Sequence, residues 1–253
     1  MGIIMLGKEI HSPIYSVYGF VRLADEIVDS FHDFDKAKML KEFREQTYQA
    51  IEEKISLNPI LNSFQEVVNH YKIEKELIDT FLDSMEMDLH QNFHDMASYE
   101  KYILGSAEVV GLMCLRVFTN GNEEQYQYLK PSAMRLGAAF QKVNFLRDIQ
   151  ADFDGMGRTY FPGVNFENFN HNQKIEIEKD IRADFDTALI GIKQLPKSSR
   201  LGVYAAYRYY TALFQKITML TPQRIMNERI RISNPRKLWL TCRCFLKLRL
   251  NLL

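Results

Sequence analysis

Two acidic stretches carry residues whose types and spacing could do chemistry. In the first, Arg22-Leu23-Ala24-Asp25-Glu26-Ile27-Val28-Asp29, the carboxylates of Asp25 and Asp29 stand four residues apart. On a helix they point the same way, one turn apart, and repel unless a cation lies between them. Arg22, one turn before Asp25, can offset part of that charge. In the second stretch, residues 141–152, Asn144, Asp148 and Asp152 fall at i, i+4 and i+8, with Gln141 a turn earlier. They form one oxygen-rich stripe, and Val143 and Leu146 lie off it and can pack. Magnesium is a hard cation that takes oxygen ligands and keeps several waters, so one or two carboxylates per stripe plus diphosphate oxygens would complete its shell. Mn²⁺ accepts the same ligand set. Two such stripes across a cavity could offset the negative charge that builds on a departing diphosphate as an allylic C–O bond ionises. One D-x-x-x-D is usually a solvated helix face; two, one of them flanked by Asn and Arg at helical spacing, are harder to assign to solvent alone.

The elements that must position these groups are helical. Apolar residues recur at spacings of three and four in Tyr15, Tyr18, Val21, Ala24 and Val28, which predicts a helix over 15–30. The same pattern predicts helices over 39–54, 62–71, 74–89, 99–118, 123–152, 173–195, 199–220 and 235–250. Breakers separate them: Asn58-Pro59, Asn120-Gly121, Asp154-Gly155, Phe161-Pro162-Gly163, Pro196 and Thr221-Pro222. Alternating β-branched runs are missing, so no significant sheet is expected. With no repeat or flexible linker, residues 1–253 read as one all-α domain, a bundle with a central cavity.

The composition is that of an ordinary globular protein, with 46% apolar and 25% charged residues among 253. A formal net charge of zero argues against nucleic acid as a partner. The balance hides a basic end. From Arg224 onward there are eight Lys/Arg against the single acid Glu228, which suits phosphate groups or anionic lipid. Three cysteines, Cys114, Cys242 and Cys244, are too few for a disulfide framework and fit a reducing compartment. The N-terminus lacks a basic n-region and a cleavage site, and no stretch of about 18 uncharged apolar residues exists. The expectation is a cytoplasmic protein, monomeric or weakly oligomeric. Its tail 238–253 either packs on the body or touches the inner face of a membrane.

The segment from Tyr18-Gly19-Phe20-Val21-Arg22 through Asp25 and Asp29 resembles the first aspartate-rich motif of phytoene and squalene synthases. Asn144-Phe145-Leu146-Arg147-Asp148-Ile149-Gln150-Ala151-Asp152 resembles their second. Gly157-Arg158-Thr159-Tyr160-Phe161-Pro162 is similar to the loop that follows it. Met85-Glu86-Met87-Asp88-Leu89, residues 107–111 and Arg229-Ile230-Arg231-Ile232-Ser233 resemble further family blocks, in family order over residues 14–237. Bacterial phytoene synthases look most similar. The resemblance implies an α-helical isoprenoid synthase fold with the two motifs on facing helices. It implies that Asp25, Asp29, Asp148 and Asp152 coordinate Mg²⁺ on diphosphates, with Asn144 and Gln141 supporting the second stripe. Arg22, Arg158 and Arg229 would meet diphosphate oxygens. Tyr18, Tyr102, Tyr160 and Tyr209 would line the reacting centre, with Tyr210 the rival of Tyr209. The implied reaction joins two prenyl diphosphates head to head through a cyclopropyl diphosphate. Two geranylgeranyl diphosphates give phytoene, a step of carotenoid synthesis; two farnesyl diphosphates give dehydrosqualene or squalene. A third reading is a catalytically dead scaffold, against which the retention of all four aspartates speaks.

The sequence departs from the family in two places. Members typically carry a further N-terminal helix with a serine-rich segment before the first motif, and only 13 residues precede Ile14 here, so that helix is expected to be lacking. Glu108 stands where many members have a small residue. Phe20, Glu108 and Phe140 are candidates to set cavity depth. His90 and His94, beside Asp95, lack a third ligand at a recognisable zinc spacing. No G-x-G-x-x-G follows a strand and no P-loop is present, so no NADPH site is evident.

Overall fold

The computed structural model describes residues 2–90, 95–156, 160–164 and 169–249, without the side chains of 151–156, 238, 241–242 and 245–249. The described residues form eleven α-helices and no strand. These are α1 His11–Asp29, α2 Lys36–Glu53, α3 Pro59–Tyr71, α4 Lys75–His90, α5 Met96–Ile103, α6 Val109–Phe118, α7 Glu123–Met156, α8 His171–Gln194, α9 Lys197–Thr218, α10 Pro222–Asn227 and α11 Asn234–Arg249. Two short 3₁₀ turns, Ile3–Met5 and Lys8–Ile10, precede α1.

Local signals set the helix ends. Asp35 accepts from the Lys38 N–H at 3.0 Å and starts α2 three residues before the expected boundary. Asn58 accepts from the N–H of Ile60 and Leu61 with Pro59 in the first turn, so α3 also begins earlier than its apolar pattern. Asn170 and Gln173 form a reciprocal capping box at the head of α8. Thr221 caps α10, a one-turn helix that the periodicity did not announce.

The core has two parts. Phe20 of α1 stacks on Phe64 of α3 at 3.9 Å between ring centroids, with Phe43 of α2 at 5.4 Å and Phe81 of α4 at 5.5 Å. This aromatic cluster ties the first four helices together and fixes the rotation of α1, so its acidic face points away from the cluster. The second part surrounds α7, which packs against α6, α8, α9 and α10. Lys142 of α7, almost fully buried, donates to Asp180 at 2.5 Å and Asp184 at 2.7 Å on α8. Burial alone would disfavour the charges of Lys142 and Asp184, while Asp180 is exposed; together the three pin the rotation of α7 against α8.

The helix expected over 99–118 is interrupted. Leu104–Glu108 form a π-helical turn that joins α5 to α6. The turn is wedged against α7: a Cβ on Gly137 would stand 2.5 Å from the Ala107 carbonyl oxygen, so only glycine admits this approach. Glu108 is buried inside it, and burial raises its carboxyl above the ordinary range, with Arg135 and Lys142 opposing and Asp184 adding to the shift. Helix α11 packs on α9 through Leu240 and Cys244, while Trp239 stays exposed with Arg243 5.1 Å over its ring. No helix among the described residues is long and apolar enough to cross a membrane.

Candidate active site

The acid-bearing helices α1 and α7 both pack on α6. A cavity of about 370 Å³ lies among them, reached by Ile14 of α1 and by Phe140 and Gln141 of α7. Its other walls are mostly small or apolar, including Ala107, Val110, Gly111, Leu136, Gly202 and Val203. Gln141 and Asn144 are one turn apart on α7, so the polar stripe begins at the end of the length of α7, Leu129 to Gln141, that lines the cavity.

On α1, Tyr18, Arg22, Asp25 and Asp29 recur at helical spacing and share one face. Tyr18 is 56% exposed, at the solvent edge rather than inside. Arg22 pairs with Glu26, which sequence reasoning did not assign, and its charge still pulls Asp25 down. The net effect on Asp25 is upward. Its carboxyl is pushed from 3.8 to about 6, first by burial, then by Asp29, with Glu26 adding a little. Two carboxylates one helical turn apart, with the proton affinity of Asp25 raised, fit a divalent cation, which would relieve the repulsion.

On α7, Asp148 is only 17% exposed and sits between two guanidiniums. Arg147 Nε donates to it at 3.0 Å, and Arg229, from the segment between α10 and α11, reaches it at 2.7 Å. The start of the basic C-terminal block thus folds back onto the second stripe. Asn144 Oδ1 accepts from the Tyr210 hydroxyl at 3.2 Å. Tyr210 is therefore the tyrosine of α9 that meets the stripe. Tyr209 packs edge-on against it at 5.5 Å, with Lys237 5.7 Å over its ring. Among the described residues no group of three His, Cys, Asp or Glu is close enough to hold a metal alone. Any ion here would need ligand oxygens as well, which fits the chemistry of carboxylate stripes that bridge to diphosphate. The side chain of Asp152 and all of Arg158 lie outside the described residues, as does His94. His90 ends α4 on the surface.

The aromatic side of the site is a stack. Tyr160 lies on Phe145 at 3.9 Å with its ring within 3° of parallel, and Tyr102 is 5.5 Å from Tyr160. The Tyr102 hydroxyl donates to Asp88 Oδ2 of α4 at 2.9 Å. Sequence reasoning named both tyrosines but neither Phe145 nor Asp88 as their supports. Phe145 lies off the acidic stripe, and that position was the available signal. Of the three residues proposed to set cavity depth, Phe140 lines the cavity and stacks on Tyr210 at 4.0 Å. Phe20 is spent in the aromatic cluster of the first four helices, and Glu108 faces Arg135 and Asp184.

The profile of the squalene/phytoene synthase family matches residues 1–236. Among curated proteins the chain is 27% identical to a 4,4'-diapophytoene synthase of Staphylococcus haemolyticus, over 71% of this chain and 62% of that one. It is 30% identical to a presqualene diphosphate synthase of Sinorhizobium fredii over 61% and 54%, and 24% identical to a phytoene synthase of Rhodobacter capsulatus over 93% and 73%. The chain thus spans just over half the length of the first two. Among solved structures, a dehydrosqualene synthase in complex with a ligand superposes with a TM-score of 0.80, at 20% identity, over 98% of this chain and 90% of that one. A squalene synthase from Alicyclobacillus acidocaldarius superposes with a TM-score of 0.72, at 19% identity, over 85% and 84%. These two likenesses establish the fold, an all-α isoprenoid synthase bundle. The match over residues 1–236 establishes the rest: the chain belongs to the squalene/phytoene synthase family.

Proposed function

We propose that the chain is a prenyltransferase that condenses two prenyl diphosphates head to head, with two geranylgeranyl diphosphates giving phytoene. The observation that carries the reading is a carboxylate–arginine stripe, Asp148 with Arg147 and Arg229, on the helix that also walls an apolar cavity. A polar head and a long hydrocarbon tail need that pairing of surfaces. Asp25, Asp29, Asp148, Asp152 and Asn144 would hold Mg²⁺, which when bound supplies charge neutralisation at the leaving diphosphate. Arg229, with Arg22 and Arg158, would take diphosphate oxygens, and in doing so Arg229 would release its hold on Asp148.

In the first step one allylic C–O bond breaks, diphosphate leaves with the electron pair, and the resulting cation is attacked by the double bond of the second substrate. Loss of a proton closes the cyclopropane. In the second step the remaining diphosphate leaves, the skeleton rearranges, and a further proton is lost to give the triene. The Tyr102, Phe145 and Tyr160 rings offer π faces to these cations without offering a strong nucleophile. An apolar cavity wall would keep water from the reacting hydrocarbon.

A second reading keeps the reaction and shortens the substrate to farnesyl diphosphate, giving dehydrosqualene, or squalene where an added hydride donor such as NADPH replaces the final proton loss. It is favoured by the modest volume of the cavity, about 370 Å³, near the lower end for ligand pockets. Incubation with each diphosphate and Mg²⁺, with extraction of the hydrocarbon and measurement of released diphosphate, tests both. Absence of diphosphate release from either substrate overturns the proposal.

A further inference from the structure

The segment ahead of α1 is built into the cavity. Ile3 and Leu6 line it, together with Gly202, Val203 and Ala206 of α9. Leu6 is seated on Gly202, and a Cβ there would collide with the Leu6 side chain and stand 2.9 Å from the Gly2 carbonyl oxygen. Polar contacts fasten the chain directly after the Leu6 side chain. The Gly7 N–H donates to the Ser198 carbonyl at 2.6 Å, and His11 Nε2 donates to the Leu6 carbonyl at 3.0 Å. Ile4, by contrast, points to solvent.

The position of this contact along α9 gives it meaning. Tyr210 marks the level of the polar stripe through its hydrogen bond to Asn144. Gly202 lies eight residues earlier, about 12 Å along the helix axis at 1.5 Å per residue. A prenyl group whose diphosphate sits at the stripe reaches the Leu6–Gly202 contact only with the distal part of its tail. Phe140, at the stripe end, meets the tail whatever its length.

We infer that Leu6, clamped on Gly202, is a residue that selects prenyl chain length by limiting the space for the last isoprene unit. The inference rests on the prenyltransferase reading above and adds to it a specificity determinant outside the acidic motifs. Apolar pockets discriminate by fit, and a group too large or too small by a few carbons changes kcat/KM by about tenfold or more.

The test uses the full chain and three variants, Leu6→Ala, Leu6→Phe and Ile4→Ala, each assayed with farnesyl and with geranylgeranyl diphosphate. Leu6→Ala is expected to raise the geranylgeranyl-to-farnesyl ratio of kcat/KM about tenfold, and Leu6→Phe to lower it by a similar factor. Ile4→Ala should leave the ratio within about twofold of the parent, because exposed substitutions away from a site change little. Calorimetric binding of the non-ionising thiodiphosphate analogues of both chain lengths gives a second readout that needs no turnover. An unchanged ratio in both Leu6 variants, with an active parent, overturns the inference and leaves the prenyltransferase reading standing. An inactive parent that binds neither analogue overturns both.

Discussion

The raised carboxyl of Asp25 has a thermodynamic consequence that can be measured without any substrate. A group whose proton affinity is higher folded than unfolded stabilises the fold at low pH and loses that contribution as pH rises through the folded value. For Asp25 the window runs from 3.8 to about 6. Each pH unit of separation corresponds to about 1.4 kcal/mol, so the ion-free protein should lose at most about 3 kcal/mol across the window from this group. Other carboxyls add to the pH dependence, since burial raises both Glu108 and Asp184. The useful quantity is therefore a difference. Asp25→Asn keeps the shape of a protonated carboxyl and cannot ionise. Urea unfolding of both proteins between pH 4 and pH 7, without divalent ions, should show the parent falling relative to the variant by about 2–3 kcal/mol, with the fall levelling off above about 6. Adding Mg²⁺ with inorganic diphosphate at pH 7 should restore part of that loss in the parent only. Parallel pH curves for parent and variant would refute the argument, because they would mean that burial and Asp29 leave Asp25 with an ordinary carboxyl.

Three other outcomes follow from the geometry. Asp148→Asn should keep the helical fold, read by near- and far-UV circular dichroism, while turnover falls by about a hundredfold or more, since it removes the charge that Arg147 and Arg229 converge on. Tyr210→Phe should cost about 1 kcal/mol in urea unfolding through loss of the Asn144 hydrogen bond, whereas Tyr209→Phe should leave that bond untouched. Lys142→Met should be the most damaging to stability, about 3–5 kcal/mol, because it strips the buried Asp184 of its nearest cation; thermal unfolding measures it.

Most of the fold was legible because it is written in apolar spacing. The long helices α1, α7, α8 and α9 each bury residues three and four apart, and their positions follow from that alone. The two acidic stripes were legible for the same reason: a period of 3.6 places Asp25 with Asp29 and Asn144 with Asp148. What periodicity does not carry is rotation between neighbours and contact across the chain. Tyr209 and Tyr210 differ by about 100° around α9, and only the docking of that helix on α7 shows which one meets Asn144. The π-helical turn at Leu104–Glu108 interrupts a stretch that apolar spacing alone reads as one helix, although the family block holding Glu108 is one expected to break a helix, and the close approach of Gly137 that accompanies it is a tertiary fact. Thr221-Pro222 read as a breaker, yet the same two residues are the cap and first residue of α10. The role of residues 2–6 as a cavity wall was hidden because their partners, Ser198 and Gly202, lie at the far end of the chain.

Helix α7 serves the polar stripe with one length of its backbone and the apolar cavity with the next. A shift of this rod along its axis would move both together, so diphosphate grip and tail accommodation are mechanically locked there. Divergence in tail preference among proteins built this way should therefore accumulate in whatever lies opposite α7. Here that is the pairing of residues 2–6 with α9, where side chains can be exchanged without disturbing the register of the carboxylates.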